Sequence, residues 1–206
     1  MTRCRSTRRL IRAIAPVSGL LAAGLLVWQG STAAFTATTN NTADSWATGK
    51  LKLQNNGGGA SFADTTANLF AETGIKPGVS GAKCITVEST GSLAGALKLY
   101  RGTITGTNGP NLATALTVQV DSAAVSATTN IPAACTGWSG GTSGAQYNGT
   151  LSGLGTTFAG SSISNTLTGT ATERVAYRIA WSLPSTVVDN TLQSSSAVAD
   201  FIWEAQ

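Results

Sequence analysis

Histidine occurs nowhere in the 206 residues, and charged side chains make up only 11% of them. The first absence removes the HExxH zinc pair and the imidazole that a serine or cysteine nucleophile needs as its base. Carboxylate pairs could still serve a glycosidase or an aspartic protease. The nine acidic residues after the first turn of charges are Asp44, Asp64, Glu72, Glu88, Asp121, Glu173, Asp189, Asp200 and Glu204. They fall singly on apparent polar strand faces or in turns and read as solvated. Asp200 and Glu204 share a strand face but lie four residues apart, roughly 13 Å, too far to work on one bond. The expectation is a chain with no catalytic residues, no metal and no cofactor.

Long apolar runs are also missing, with one short exception. Arg3, Arg5, Arg8, Arg9 and Arg12 precede an apolar stretch from Ala13 to Trp28, and Ser31-Thr32-Ala33-Ala34 follows. This is the build of a secretory signal peptide over residues 1–34, with the apolar part as its helix. Pro16, Ser18, Gly19 and Gly24 interrupt the stretch, which is short for a bilayer span. Cleavage after Ala33 or after Ala34 meets the demand for small residues. The second site sets Thr32 and Ala34 in the small-residue positions and leaves Phe35 first. Arg8-Arg9 hints at twin-arginine export, but Arg12 stands where that route wants an apolar residue, so the general secretory route is expected. The basic isoelectric point of 9.2 belongs to this leader. From Phe35 onward 8 basic residues face 9 acidic ones. There is no basic patch with interleaved aromatics, so neither nucleic acid nor, after cleavage, a membrane is an expected partner.

Cysteine is scarce. Cys4 leaves with the leader, and Cys84 and Cys135 remain in an oxidising compartment, where pairing is the default. Closing a loop of about 50 residues would remove on the order of 4 kcal/mol of denatured-state entropy. Two buried free thiols are the alternative.

The 172 residues from Phe35 suffice for one domain with a core. Thr, Ser, Gly and Ala dominate, and no stretch keeps apolar residues at helical spacing. Alternation is frequent instead: Leu51 and Leu53 against Lys50 and Lys52; Ile85 and Val87 against Thr86 and Glu88; Leu97 and Leu99 against Lys98 and Tyr100. It recurs in Leu116, Val118 and Val120, in Val175, Tyr177, Ile179 and Trp181, and in Phe201 and Trp203. A period of two broken by Gly, Asn, Pro and Ser clusters predicts half-buried antiparallel strands, hence an all-β sandwich. Asn55-Asn56-Gly57-Gly58-Gly59 has no helix behind it and reads as a turn, not a phosphate cradle. Residues 136–160 read as long Gly-rich surface loops with one short strand near Tyr147. Trp138 and Tyr147 there are either ligand platforms or lids over the sandwich.

Three blocks carry a family likeness: AFTATTNNTADSWATGKLKL from Ala34, GIKPGVSGAKCITVESTGSLAGALKLY from Gly74, and VAYRIAWSL with LQSSSAVADFIWEA near the end. In this order they resemble the TasA/camelysin family of exported bacterial proteins, whose leaders are removed by a SipW-type signal peptidase. The resemblance implies a jelly-roll sandwich and a secreted subunit of cell-surface or biofilm-matrix filaments, in which one subunit's freed N-terminal segment completes a sheet of the next. Camelysin-type relatives have been described as metalloproteases; without histidine this chain lacks the means.

Physical chemistry agrees that residues 35–43 suit strand addition. Phe35, Thr36, Ala37, Thr38, Thr39 and the four residues after them contain no charge, Pro or Gly, and threonine favours strands. A frayed terminus, or a first strand of its own sheet, is the alternative for this tract. The competing class is a secreted adhesin that binds carbohydrate or protein through Trp138 and Tyr147. Mass spectrometry of the secreted protein without reductant tests the leader and the bridge together. The expected species begins at Phe35 and is lighter by two hydrogens; a retained leader or a full complement of thiol hydrogens contradicts the respective expectation.

Overall fold

Apolar residues at every second position give the longer runs one face to bury, and eight strands form among the described residues. The computed structural model describes residues 50–64, 66–140, 145–187 and 190–206. The leader, the Ala34–Phe35 cleavage site and the 35–43 tract lie outside the described residues. In chain order the strands are β1 Leu53–Asn55, β2 Ser80–Ser89, β3 Gly95–Arg101, β4 Thr117–Val125, β5 Tyr147–Thr150, β6 Ile163–Leu167, β7 Glu173–Ser182 and β8 Phe201–Ala205. Among the described residues one α-helix, α1 at Gly109–Ala115, precedes β4.

The strands pair antiparallel into two sheets. The larger runs β1-β2-β7-β4-β5 and the smaller β6-β3-β8. Their facing sides make the core: Ile85 and Val87 from β2, Val118 and Val120 from β4, and Val175, Tyr177 and Ile179 from β7. Against these lie Leu97 and Leu99 from β3 and Ile163 and Leu167 from β6. Each such side chain removed from water stabilises by about 1.5–3 kcal/mol. A polar thread crosses this layer. Ser122 donates to Asn165 Oδ1 at 3.0 Å, and Asn165 Nδ2 donates to the buried Tyr177 hydroxyl at 3.0 Å. Burial pushes the Tyr177 hydroxyl pKa far up, and the Asn165 bond offsets this only in part.

The outer face of the larger sheet departs from the sequence expectation. Thr86 is fully buried, and Glu88 and Asp121 are 9% and 2% exposed, although alternation placed them on solvated faces. The cause is residues 126–140, which fold over that face. Ile131, Cys135 and Trp138 pack there on Cys84 and Ala176. The Cys84–Cys135 disulfide, with Cα atoms 5.0 Å apart, pins this flap to β2. The two carboxylates meet cations directly across the ladder. Arg174 pairs with Glu88 at 2.6 Å and also donates to Thr129 O, while Arg178 stands 3.5 Å from Asp121.

Asn56 joins flap, turn and sheet. Its Oδ1 accepts from the Gly58 and Thr86 amides at 3.0 and 2.8 Å, and its Nδ2 reaches Ile131 O at 2.9 Å and Asn130 Oδ1 at 2.5 Å. The run read as a turn is therefore a turn whose side chain also organises the flap. Other expectations shift modestly. Residues 136–160 include β5 as anticipated, but Leu154 enters the core at 3% exposure. Leu51 is 39% exposed instead of sharing an inner face with Leu53. Helix α1, started by Pro110 in its first turn, was not anticipated; seven residues are too few to display a helical period. Asn56→Ala strands the Thr86 and Gly58 amides and leaves the Ile131 carbonyl only the long bond from the Thr86 hydroxyl, and is expected to destabilise the disulfide-intact protein by about 2–4 kcal/mol in urea unfolding. A loss below about 0.5 kcal/mol would show that the node is dispensable.

Candidate functional site

In an all-β fold a candidate site is sought at the sheet edges, where unpaired backbone groups can recruit another strand. The four edges differ. Along β1, Asn55 exchanges both backbone hydrogen bonds with Ala63, at 2.9 Å each, so that edge is capped at its last residue. At β6 the Gln146 side chain does the capping: Oε1 accepts from the Ser164 amide at 2.8 Å while Nε2 donates to Ser122 at 2.6 Å. Strand β5 has four residues, one of them Gly149. Strand β8 is longer, apolar and open.

The register of β8 shows which groups are free. Ala96 and Gln206 exchange backbone bonds at 2.7 and 3.1 Å, and the Gly102 amide donates to Asp200 O at 2.9 Å. With Lys98 opposite Glu204 and Tyr100 opposite Ile202, the even-numbered residues of β8 bond to β3. The amides and carbonyls of Phe201, Trp203 and Ala205 therefore point the other way, and no partner meets them among the described residues. A clip on the outer surface holds β8 in place. Tyr100 donates to Glu204 at 2.7 Å; this bond holds the tyrosine hydroxyl above its ordinary pKa and the carboxyl below its own.

Beside this edge lies a groove of about 770 Å³. Ile85, Val118, Ile179 and Trp181 of the larger sheet line it, with Phe201 and Trp203 of β8 and, beside Phe201, residues 66–73. The groove exists because three strands cannot cover the face of five. The indole N–H groups of Trp181 and Trp203 are both buried without a hydrogen-bond partner. Leaving such a donor unmet costs about 1–3 kcal/mol, and the Trp181 indole packs over Gly81 of β2. Asp64, Glu72 and Asp200 line it, and no basic residue among the described residues does.

The aromatics singled out in the sequence are not brought together. Trp138 packs on the outer face of the larger sheet, in the cluster around the disulfide. Tyr147 lies in β5, packs on the main core, and donates to Thr150 O at 2.5 Å. Burial raises its hydroxyl pKa, with the Arg101 charge opposing. Both rings cover hydrophobic surface, and neither is a free platform. Sequence reading missed the groove and its rim residues Leu69 and Phe70, whose signal was an isolated apolar pair inside a Thr-, Ala- and Asn-rich tract.

Among the described residues no three His, Cys, Asp or Glu gather as a metal site, and no helix is long and apolar enough to cross a membrane. No protein-family model matches this chain, and no curated protein matches it. Amide hydrogen exchange on the isolated protein tests the open edge. Ile202 and Glu204 are expected to exchange slowly, and Phe201, Trp203 and Ala205 to exchange at least about tenfold faster, because only the first set is bonded to β3. Uniform protection along β8 would mean that the edge is covered.

Proposed function

We propose that this chain is a secreted structural subunit of extracellular or cell-surface filaments, and that it assembles when the segment from Phe35 of one copy adds to the β8 edge of another. The observation that carries this reading is the coincidence of an unpaired strand edge with an apolar groove at its side. Strand addition needs both, main-chain groups for affinity and pockets for alternate side chains. The five residues Phe35, Thr36, Ala37, Thr38 and Thr39 match the five of β8 in number and carry no charge to strand in the groove. Every second side chain would face the groove, with Phe35 as the large apolar anchor.

Cleavage between Ala34 and Phe35 is then the assembly switch, because it releases the segment from its leader. Signal peptidase and further copies of this chain are the partners; catalysis is no part of the role. The strand order also supports a jelly-roll assignment. From β2 to β4 and again from β5 to β8 the chain alternates between sheets, as a wrapped double sheet does, with β1 and β8 as additions at its margins. The disulfide supports a non-cytosolic location. These are the features implied by the TasA/camelysin resemblance. The adhesin alternative rests on Trp138 and Tyr147, whose rings are committed to packing, so we argue the filament reading. Electron microscopy of chains spanning 35–206 and 46–206 tests it. Filaments are expected from the first alone; equal filament formation by both removes the donor segment from the mechanism.

A further inference from the structure

We propose that residues 67–75 are a resident strap that occupies the side of the groove next to β8 and must be displaced before a neighbour's strand can pair there. The inference rests on the filament reading above and adds a gate to it. Residues 67–75 make no hydrogen bond among the described residues, and both ends are tied instead. Thr66 Oγ1 donates to Asn55 Oδ1 at 2.7 Å, and beyond the strap Gly78 N donates to Leu183 O at 2.7 Å. Between these ties the strap is held by its apolar side chains. Leu69 and Phe70 pack on the core cluster, and the Phe70 ring lies 6.1 Å from that of Phe201 in β8. Residues 67, 68 and 71–74 are exposed. A stretch with solvated backbone, two apolar contacts and a glycine at φ 65°, Gly74, belongs to the low-stability end of a fold and opens locally at little expense.

The strap also resembles what would replace it. Phe70-Ala71-Glu72-Thr73 begins with phenylalanine and has threonine three residues later, as does Phe35-Thr36-Ala37-Thr38. The two differ where it matters for exchange. Glu72 places a charge in the strap, among the groove's other carboxylates Asp64 and Asp200. The 35–43 tract has none, and its freed amino terminus brings a positive charge to that acidic lining. The strap thus covers Phe201 in the lone subunit without satisfying the β8 backbone, and a donor can do both. An acceptor that is open for only a fraction of the time binds more weakly by that fraction, so loosening the strap raises apparent affinity.

The test uses the chain beginning at Phe35, kept below the concentration at which filaments form, and a labelled synthetic peptide of residues 35–43. The variant is L69A with F70A. Peptide is expected to bind the variant about tenfold more tightly than the unaltered chain, as for a strap open about a tenth of the time. Equal binding overturns the strap's role and leaves the donor reading standing. Weaker binding by the variant also overturns it, making Phe70 a wall of the acceptor. Peptide binding to neither chain removes the strap together with the donor reading. A second measurement needs no substitution. In the unaltered chain, saturating peptide is expected to speed proteolysis within 67–75 while slowing amide exchange at Phe201, Trp203 and Ala205. Cleavage at an unchanged rate, with peptide bound, overturns the proposal even if the variant fails to fold.

Discussion

A five-stranded sheet facing a three-stranded one has more apolar area than its partner can reach, and the rest of this structure follows from that inequality. Where β3 and β6 lie over β2, β4 and β7, the contact is tight: Leu97, Leu99, Ile163 and Ile179 are at most 1% exposed. Among the described residues nothing regular continues the smaller sheet beyond β8, and Trp181 and Val118 are left lining a groove. The remedy is a stretch of irregular chain with two apolar side chains, Leu69 and Phe70. Irregular backbone over a hydrophobic floor is a weaker cover than a strand, because it brings side chains without the ladder that would fix them.

The outer face of the larger sheet meets the opposite problem and solves it firmly. Burying Glu88 and Asp121 without partners would be prohibitive, and breaking such a pair by removing one member is far worse than never having it. Cross-strand arginines answer both carboxylates, and Phe62 stacks on the Arg174 guanidinium at 4.5 Å. Over them the flap is secured three ways, by the disulfide, by the Asn56 amide and by the Cys84 amide donating to Ala133 O at 3.1 Å. One face is thus closed covalently and the groove is closed by contact alone. That contrast locates where this molecule can change at low energy.

How much of this was legible follows from which forces are local. The inner faces of β2, β3, β4, β7 and β8 were readable from alternation, since a period of two is a property of the strand itself. Cys84 and Cys135 were readable as a pair from their number and setting. The identity of the outer face was not. Thr86 and Glu88 carry the polar signature of a solvated side, and only the return of residues 126–140, some 45 positions later, buries them. Nor could alternation say that Gln146 caps β6 while β8 stays open, because edge status depends on strand order, a non-local outcome. The short β6 and the seven-residue α1 escaped for a simpler reason, having too few residues to show a period.

Edge asymmetry bears on the form any assembly takes. If two open β8 edges met each other, the contact would be self-complementary and would close as a dimer. Here the unpaired groups of Phe201, Trp203 and Ala205 border a groove that asks for an extra strand and a large apolar anchor. A second β8 brings its side chains already committed to its own core. The two-edge dimer would therefore satisfy the backbone and leave the groove empty. A donor from elsewhere in the chain satisfies both, and a contact between two different surfaces is heterologous: each added copy offers again the surface the last one used. Asn55 of β1 is bonded to Ala63 and the Ser164 amide of β6 to Gln146, whereas the outward groups of β8 meet no partner among the described residues. The same unequal sheets that leave a groove in one subunit thus favour a linear chain of subunits over a closed pair.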